Sequence, residues 1–336
     1  MKLVIRIWLL VIISSLVIVS WSLAQTTFDP LTVGVGARAL GMGKAYVAVA
    51  EDGDTIFFNP AGLGEIDTFQ FSSMSGTIME DVNYTMLGGV YPLGAKSALG
   101  IGYTAATVSG IELRDAAGTY SEKTTFGSSV LFASYGRKLS EKFSLGINLK
   151  FFSQDATTAN RADGSGINLD VGILQKGVEW LSIGVVGQNL LGSSKIRYND
   201  SYEENLPLGL KVGTKLHLLG SKFQAALLSP IELVAVADAD LNLRASDPTT
   251  THLGLELSPS SLLTLRAGID QDPKPGGVQN NATYGVSLKY AGVGFHYAYH
   301  AYTNFPENNS HFFSLSFNER GWPLEDLPTI AKSPAL

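Results

Sequence analysis

Run after run along this chain places an uncharged, mostly apolar residue at every second position. Phe143, Leu145, Ile147, Leu149 and Phe151 form one such series, and Leu208, Leu210, Val212, Thr214 and Leu216 another. The pattern recurs at Leu263, Leu265, Ala267, Ile269, at Tyr284, Val286, Leu288, Tyr290, and at Val293, Phe295, Tyr297, Tyr299. Between them lie small, polar or charged residues such as Ser144, Gly146, Asn148, Lys150 and Lys211, Gly213, Lys215. Successive side chains of a strand point to opposite faces, so each run is a strand with one oily and one wet face.

Extended segments are predicted near residues 68–76, 82–91, 97–106, 124–136, 143–153, 165–175, 180–189, 207–217, 231–243, 251–258, 262–270, 282–290, 293–302 and 310–318. Many approach the ~9–11 residues that a tilted membrane strand needs. Short turns (Pro92–Lys96, Arg137–Lys142, Gln175–Glu179, Ser258–Leu262, Ala291–Gly292) alternate with longer polar loops (107–123, 154–164, 190–206, 271–281, 303–309). An even strand number with that alternation predicts an all-β, single transmembrane antiparallel barrel of about fourteen strands over 67–318. Lys222–Leu228 could add a further strand, and on 124–136 Val130 and Phe132 alternate with the equally apolar Leu131 and Ala133, so that run has no clear wet face. In the common register Lys150, Asp170, Lys211, Lys215, Asp238, Asp240, Glu256, Arg266 and Lys289 all fall inward. A Lys or Arg at the lipid midplane costs ~2–4 kcal/mol, so a one-residue slip is penalised in several strands at once. Tyr103, Phe143, Phe151, Trp180, Tyr284 and Tyr290 sit near strand ends, where an aromatic girdle belongs.

The amino terminus decides which face is out. Lys2 and Arg6, an apolar stretch through Val19 and Ser22-Leu23-Ala24 read as a secretory signal over 1–24, cleaved before Gln25. Only 16% of the 336 residues are charged, Gly numbers 36 and Cys is absent, which removes disulfides, lipoprotein attachment and thiolate metal sites. The net charge of −6 argues against nucleic acid as a partner. No apolar stretch after residue 24 is long enough for a membrane helix, so an exported strand-rich chain points to a closed barrel in the outer membrane of a diderm bacterium, contacting its lipid, with both termini periplasmic. After the aromatic-ended strand His311–Phe317, a polar tail at 319–336 with Pro323, Pro328 and Pro334 reads as a periplasmic extension.

Residues 25–66 hold the one long stretch without alternation. Gly34, Gly36, Gly41 and Gly43 with Ala37, Ala39, Ala45, Ala48 and Ala50 suggest a short helix around 37–50, followed by Glu51-Asp52-Gly53-Asp54 and a turn at Asn59-Pro60-Ala61-Gly62-Leu63. Small residues allow close packing against a wall, and a ring of about fourteen strands encloses a wide lumen, so this segment is expected to be a hatch. No strand precedes the glycines and no Gly-Lys-Ser/Thr follows them, which argues against a phosphate loop.

The stretch Gly36-Ala37-Arg38-Ala39-Leu40-Gly41-Met42-Gly43, continuing through Ala45–Ala50 and Asn59-Pro60-Ala61-Gly62-Leu63, resembles the amino-terminal hatch of PorV/PorQ-type barrels. These are relatives of the FadL long-chain fatty-acid transporters. Further similar pieces lie at Gly187–Leu190, Leu206–Gly213, Ala237–Leu241 and Leu263–Gly268, so the resemblance spans roughly 30–317. It implies a fourteen-stranded outer-membrane barrel with a lumenal hatch, its motif residues being Gly36, Arg38, Gly41, Met42, Gly43, Asn59, Pro60, Ala61 and Gly62. Shorter external loops than in FadL proper weaken the case for a fatty-acid capture site among them.

No hydrolase elbow is present, and His296 and His300 on one inward face offer too few ligands for a metal, so no catalytic, metal or cofactor site is expected. A symmetric hairpin at 244–250 would set Asp240 opposite Gly254 and Asp238 opposite Glu256, and a turn at Ser258–Leu262 would set Gly254 opposite Arg266. Arg266 would then reach Asp240 across a glycine, giving a lumenal network of Asp238, Asp240, Glu256 and Arg266 that braces the wall, docks the hatch or binds substrate. Arg38 and Lys44 of the hatch would find their acids on the same wall.

The resemblance implies a non-enzymatic role in protein export of type IX kind, binding exported proteins or secretion components. The alternative is passive transport of hydrophobic small molecules such as fatty acids, as in FadL relatives, although the lumen residues that can be read offer no apolar pocket. A soluble or enzymatic β-protein is disfavoured by signal, length and charge sorting together.

Overall fold

The computed structural model describes residues 30–320 except 79–80, 115–117, 157–162, 193–194, 200–201, 221–230, 244–247, 275 and 304–307. The expected signal segment, nearly all of the tail and the possible strand at Lys222–Leu228 lie outside the described residues. Sixteen strands follow in order: β1 (Gln70–Ile78), β2 (Val82–Gly94), β3 (Ser97–Arg114), β4 (Tyr120–Ser140), β5 (Phe143–Ala156), β6 (Gly164–Val178), β7 (Leu181–Gln188), β8 (Lys195–Tyr198), β9 (Glu203–Asn205), β10 (Gly209–Leu219), β11 (Glu232–Asn242), β12 (Thr250–Ser258), β13 (Leu263–Lys274), β14 (Gly277–Tyr290), β15 (Val293–Ala301) and β16 (Ser310–Asn318).

Fourteen of them, all but β8 and β9, make one antiparallel ring. Each pairs with its neighbour in that order, β5 with β6 included, and β1 pairs with β16 to close it. Closure satisfies both edges of the sheet, as a wall within hydrocarbon requires. The fourteen coincide with the fourteen predicted segments. The differences lie at the tops: β3 and β4 climb through much of the expected loop 107–123, and β13 and β14 through most of 271–281. Within the expected loop 190–206, β8 and β9 form a small ribbon attached to β6 through Gly164↔Tyr198 and Ser165↔Arg197.

The outer surface carries Leu87, Leu99, Ile101, Leu131, Ile147, Ile167, Leu253, Leu265, Phe295 and Phe313, all exposed. Their alternate neighbours, among them Asn148, Lys150, Arg266 and Ser314, are buried inside the ring.

Residues 30–66 lie within the ring and are almost wholly buried. The expected helix at 37–50 is only one turn, α1 (Ala37–Leu40); Gly41, Gly43 and a left-handed Lys44 (φ 67°) turn the chain immediately afterwards. A second single turn, α2 (Thr55–Phe58), leads into a 3-10 segment at Pro60–Glu65, where the Asn59 side chain caps the Ala61 amide. Helices this short have little stability of their own, so packing and bonds to the wall hold them.

Candidate functional site: the lumen and its inner segment

Two unlike surfaces face one another across the lumen. On β1–β5 the inward positions include Met74, Ile78, Tyr84, Met86, Val90, Ala106, Val130, Phe132 and Phe152, all buried. Ile56, Phe57 and Leu63 of the inner segment pack into one cluster with them, and the Phe57 and Phe132 rings meet edge to face with centroids 5.2 Å apart. Towards the long loops the same cluster continues through Ile196 and Leu206 of the ribbon region and Leu31 and Val33 ahead of α1. The expected wet face is therefore largely oily on β2–β4, while β5 keeps Asn148 and Lys150 inward beside Phe152. That is why β4 gave no clear alternation: Val130 and Phe132 point in, Leu131 and Ala133 point out, and both sides are apolar.

On β10–β15 charged and histidine side chains crowd the inward positions, beside Val234 and Val236. Arg38 sits at the centre, its fork gripping Glu256 through Nε (2.9 Å) and Nη2 (2.7 Å), with Asp52 at 2.8 Å and Glu51 at 2.9 Å. Arg266 adds a second cation to Glu256 at 2.6 Å, and Lys215 a second to Glu51. Lys215, Glu51, Arg38, Glu256 and Arg266 thus form an alternating chain, with Asp52 on its flank. Burial alone would raise the Glu51 carboxyl, but Lys215 and Arg38 override it and hold Glu51 well below the usual carboxylate range. Asp54, near this chain, goes the other way: burial, then the Asp52 charge, push it up to about 7, against a hydrogen bond from Ser72 and the more distant Arg38. Lys44 reaches Asp270 at 2.7 Å, and His252 and His300 each approach the same buried carboxylate at 2.8 Å.

The expected network of Asp238, Asp240, Glu256 and Arg266 is rearranged. Asp238 lies opposite His252 and Asp240 opposite Thr250, so β12 is displaced by four residues from the predicted register. On the next ladder Glu256 faces Arg266 directly, where Gly254 was expected. Both displacements are even, so every side chain keeps its face; what changes is the partner. Arg266 therefore binds Glu256 and Ser287 and does not reach Asp240, which pairs with Lys211 instead. Asp238 accepts the backbone N–H groups of Tyr46 (2.6 Å) and Val47 (2.8 Å). The cause is the hairpin: β11 runs to Asn242 and β12 begins at Thr250, pulling the turn centre two residues earlier than a loop of 244–250 implies.

The remaining motif residues stitch the inner segment to other strands. Asn59 Nδ2 donates to Val47 O (2.9 Å) and to Ile173 O of β6 (3.0 Å). Gly43 N donates to Thr283 on β14 and Ala37 N to Ser314 on β16. Gly43 has a φ of 64°, and a side chain there would meet the carbonyl of Leu253 at 2.7 Å. Gly41 lies against Gly285, Met42 against Gly254, and Pro60 against Gly172, while Gly36 and Gly62 give room to Asp54 and Thr55. Ala61 is wholly buried. Sequence reasoning missed Asp270, because the strand was ended at that residue; its inward parity with Arg266 was the available signal.

Two cavities flank the ionic chain. One, of about 550 Å³, opens towards the long loops among Lys44, Asp238, Lys211, His252, Leu31 and Phe58. The other, of about 500 Å³, lies towards the short turns among Arg38, Glu51, Asp54, Lys215 and His296. Among the described residues no cluster of His, Asp or Glu has the arrangement of a metal site.

No family model matches the chain, and no curated protein matches it. Solved structures do. The CymD monoaromatic hydrocarbon channel superposes with a TM-score of 0.61 at 14% identity, covering 87% of this chain and 98% of that one. A Pseudomonas putida toluene transporter, TodX, gives 0.59 at 12% identity over 89% and 99%. A Pseudomonas aeruginosa FadL homologue gives 0.55 at 13% identity over 83% and 97%. At such identities the likeness establishes the fold, that of a FadL-type barrel. None of the three is a PorV- or PorQ-type protein.

Proposed function

We propose that this chain is a non-enzymatic outer-membrane channel through which small hydrophobic molecules pass passively, with residues 25–66 as its hatch. The observation carrying this reading is the oily inner surface of β1–β5. Lumens of outer-membrane barrels are ordinarily polar. Here the rung Met86, Thr104, Val130, Phe152 continues the apolar surface beyond the Phe57–Phe132 contact towards the long loops, and the next, Tyr84, Ala106, Ser128, Gln154, turns polar on β4 and β5. These residues lie buried beneath Leu31, Val33, Ile196 and Leu206, so an apolar cargo would pass along them by displacing that cover. The structural neighbours, two of them hydrocarbon or toluene carriers by name, favour transport over the export role implied by the PorV resemblance.

Uptake tests this. Cells carrying the protein should accumulate labelled toluene faster than cells without it, and Met86→Asn with Phe152→Asn should abolish the gain in a barrel that still folds. Equal uptake in all three would sink the reading. Recovery of large exported proteins with the barrel from outer membrane would return the argument to secretion.

A further inference from the structure

The ring has a depression on its outer surface as well as cavities within. It measures about 570 Å³ and is lined by Ala235 and Ala237 on β11, Leu253 and Leu255 on β12, Ala267 and Ile269 on β13, and Ala282 and Tyr284 on β14, with Thr214 and Leu216 at one side. No charged residue lines it.

The wall is thinned there from both sides. Outside, four alanines stand at outward positions among Leu, Ile and Tyr. Inside, the floor is backbone at Gly254 and Gly268, and both glycines are required by the hatch. A methyl group on Gly254 would come within 2.5 Å of the Met42 carbonyl oxygen, and one on Gly268 within 2.5 Å of the Met42 carbonyl carbon. The shortest ladder of the ring crosses the same place: β12 and β13 pair only over Leu253–Leu257 and Leu265–Ile269.

We infer that this groove binds one acyl chain of a membrane lipid as a fixed, structural ligand. The inference rests on the wall facing hydrocarbon, and not on what the lumen carries. Within a bilayer no water is available to fill an apolar hollow, and an empty one forfeits contacts along its whole lining. The occupant must be long and narrow, because the hollow follows two neighbouring rungs, Leu216-Ala235-Leu255-Ala267-Tyr284 and Thr214-Ala237-Leu253-Ile269-Ala282, across five strands. It must also be uncharged along its length, because the lining offers only the hydroxyls of Thr214 and Tyr284. A lipid acyl chain meets both conditions and is present at high concentration on that side alone. Seated there, it supports the wall from outside where Met42 and Gly43 press from within.

The test uses the full-length protein extracted from membranes in mild detergent. Native mass spectrometry should find a phospholipid or lipopolysaccharide mass retained. Ala237→Leu with Ala267→Leu, which fills the groove from the lipid side, should lose it, while Ala133→Leu on the opposite outer wall should keep it. Phospholipid bearing a photoreactive acyl chain should label β11–β14 in the wild type, with that labelling lost in the filled variant. Labelling spread evenly around the strands, or retention unchanged by filling, would overturn the inference. A retained mass belonging to a small hydrocarbon and no lipid would overturn it as well, assigning the groove to cargo. Failure of toluene uptake leaves these outcomes unaffected, so the two proposals fail separately.

Discussion

The two halves of the lumen hold the same inner segment by different physics. On β1–β5, Ile56, Phe57 and Leu63 are held by area, a non-directional attraction that grows with surface removed from water. On β10–β16, Arg38, Lys44 and the Tyr46–Val47 amides are held by directed bonds to Glu256, Asp270 and Asp238. An oily contact yields gradually when trimmed. A buried ionic contact does not, because removing one partner leaves the other charged and unsolvated. The oily half supplies adhesion; the ionic half fixes where the segment sits.

The sharpest way to break this comparison is Arg38→Ala. It leaves Asp52 without its cation and Glu256 and Glu51 with one each, Arg266 and Lys215, and should cost about 3 kcal/mol of docking of the inner segment. Because the chain has no cysteine, a cysteine placed at Ala61 gives a clean readout. It should be shielded from a water-soluble maleimide in the parent and labelled rapidly in the variant, with the barrel still folded by its heat-modifiable mobility. Arg38→Lys should rescue little, since an ammonium cannot make the paired grip on Glu256.

On the oily side Phe132→Ala should cost about 3–5 kcal/mol by the same readout, but Phe132→Leu should recover most of it. If both conservative replacements behaved alike, the contrast between the halves would be wrong. The outer surface supplies the control. Ile147→Arg behind the oily side and Leu265→Arg behind the ionic side should each cost about 2–4 kcal/mol near the midplane. Unequal tolerance would mean that the wall, and not the lumen, differs between the halves.

The smallest effect concerns pH. Asp54 is raised from its usual 3.8 to about 7, so the docked state resists its ionisation. For an acid shifted upward the penalty is absent below its ordinary value, grows as pH rises towards 7 and is constant above. Docking should therefore weaken between about pH 5 and 7 by on the order of 1 kcal/mol per pH unit. Asp54→Asn should make this profile shallower. A parent that docks more tightly at pH 8 than at pH 5 would reverse the sign and refute it.

Much of this was readable in the chain, and the rest was not for identifiable reasons. The ring was readable because lipid allows few charges outside: Lys150, Lys215 and Arg266 could only turn inward. Which cation met which acid was not. A parity argument survives the displacement of β12 by four residues, whereas the pairing of Asp238 with Glu256 does not. The oily half was hidden because alternation marks only the difference between faces, and on β4 there is none. The single helical turn at Ala37–Leu40 shows a related limit, since alanines and glycines at helical spacing also suit a chain that folds back on itself inside a tight space.

The bond between Arg38 and Glu256 joins residues 218 positions apart. Glu256, Asp238 and Asp270 belong to strands made late, while the segment they hold precedes the first. During biogenesis the early segment must therefore wait, its charges in water, until the far side of the ring arrives and β16 finds β1. Joining ends so distant is entropically costly and slow. Final locking of the hatch and closure of the ring thus become one late event. A barrel stalled before that event would have an open edge and an unfastened interior together, a recognisable substrate for quality-control proteolysis.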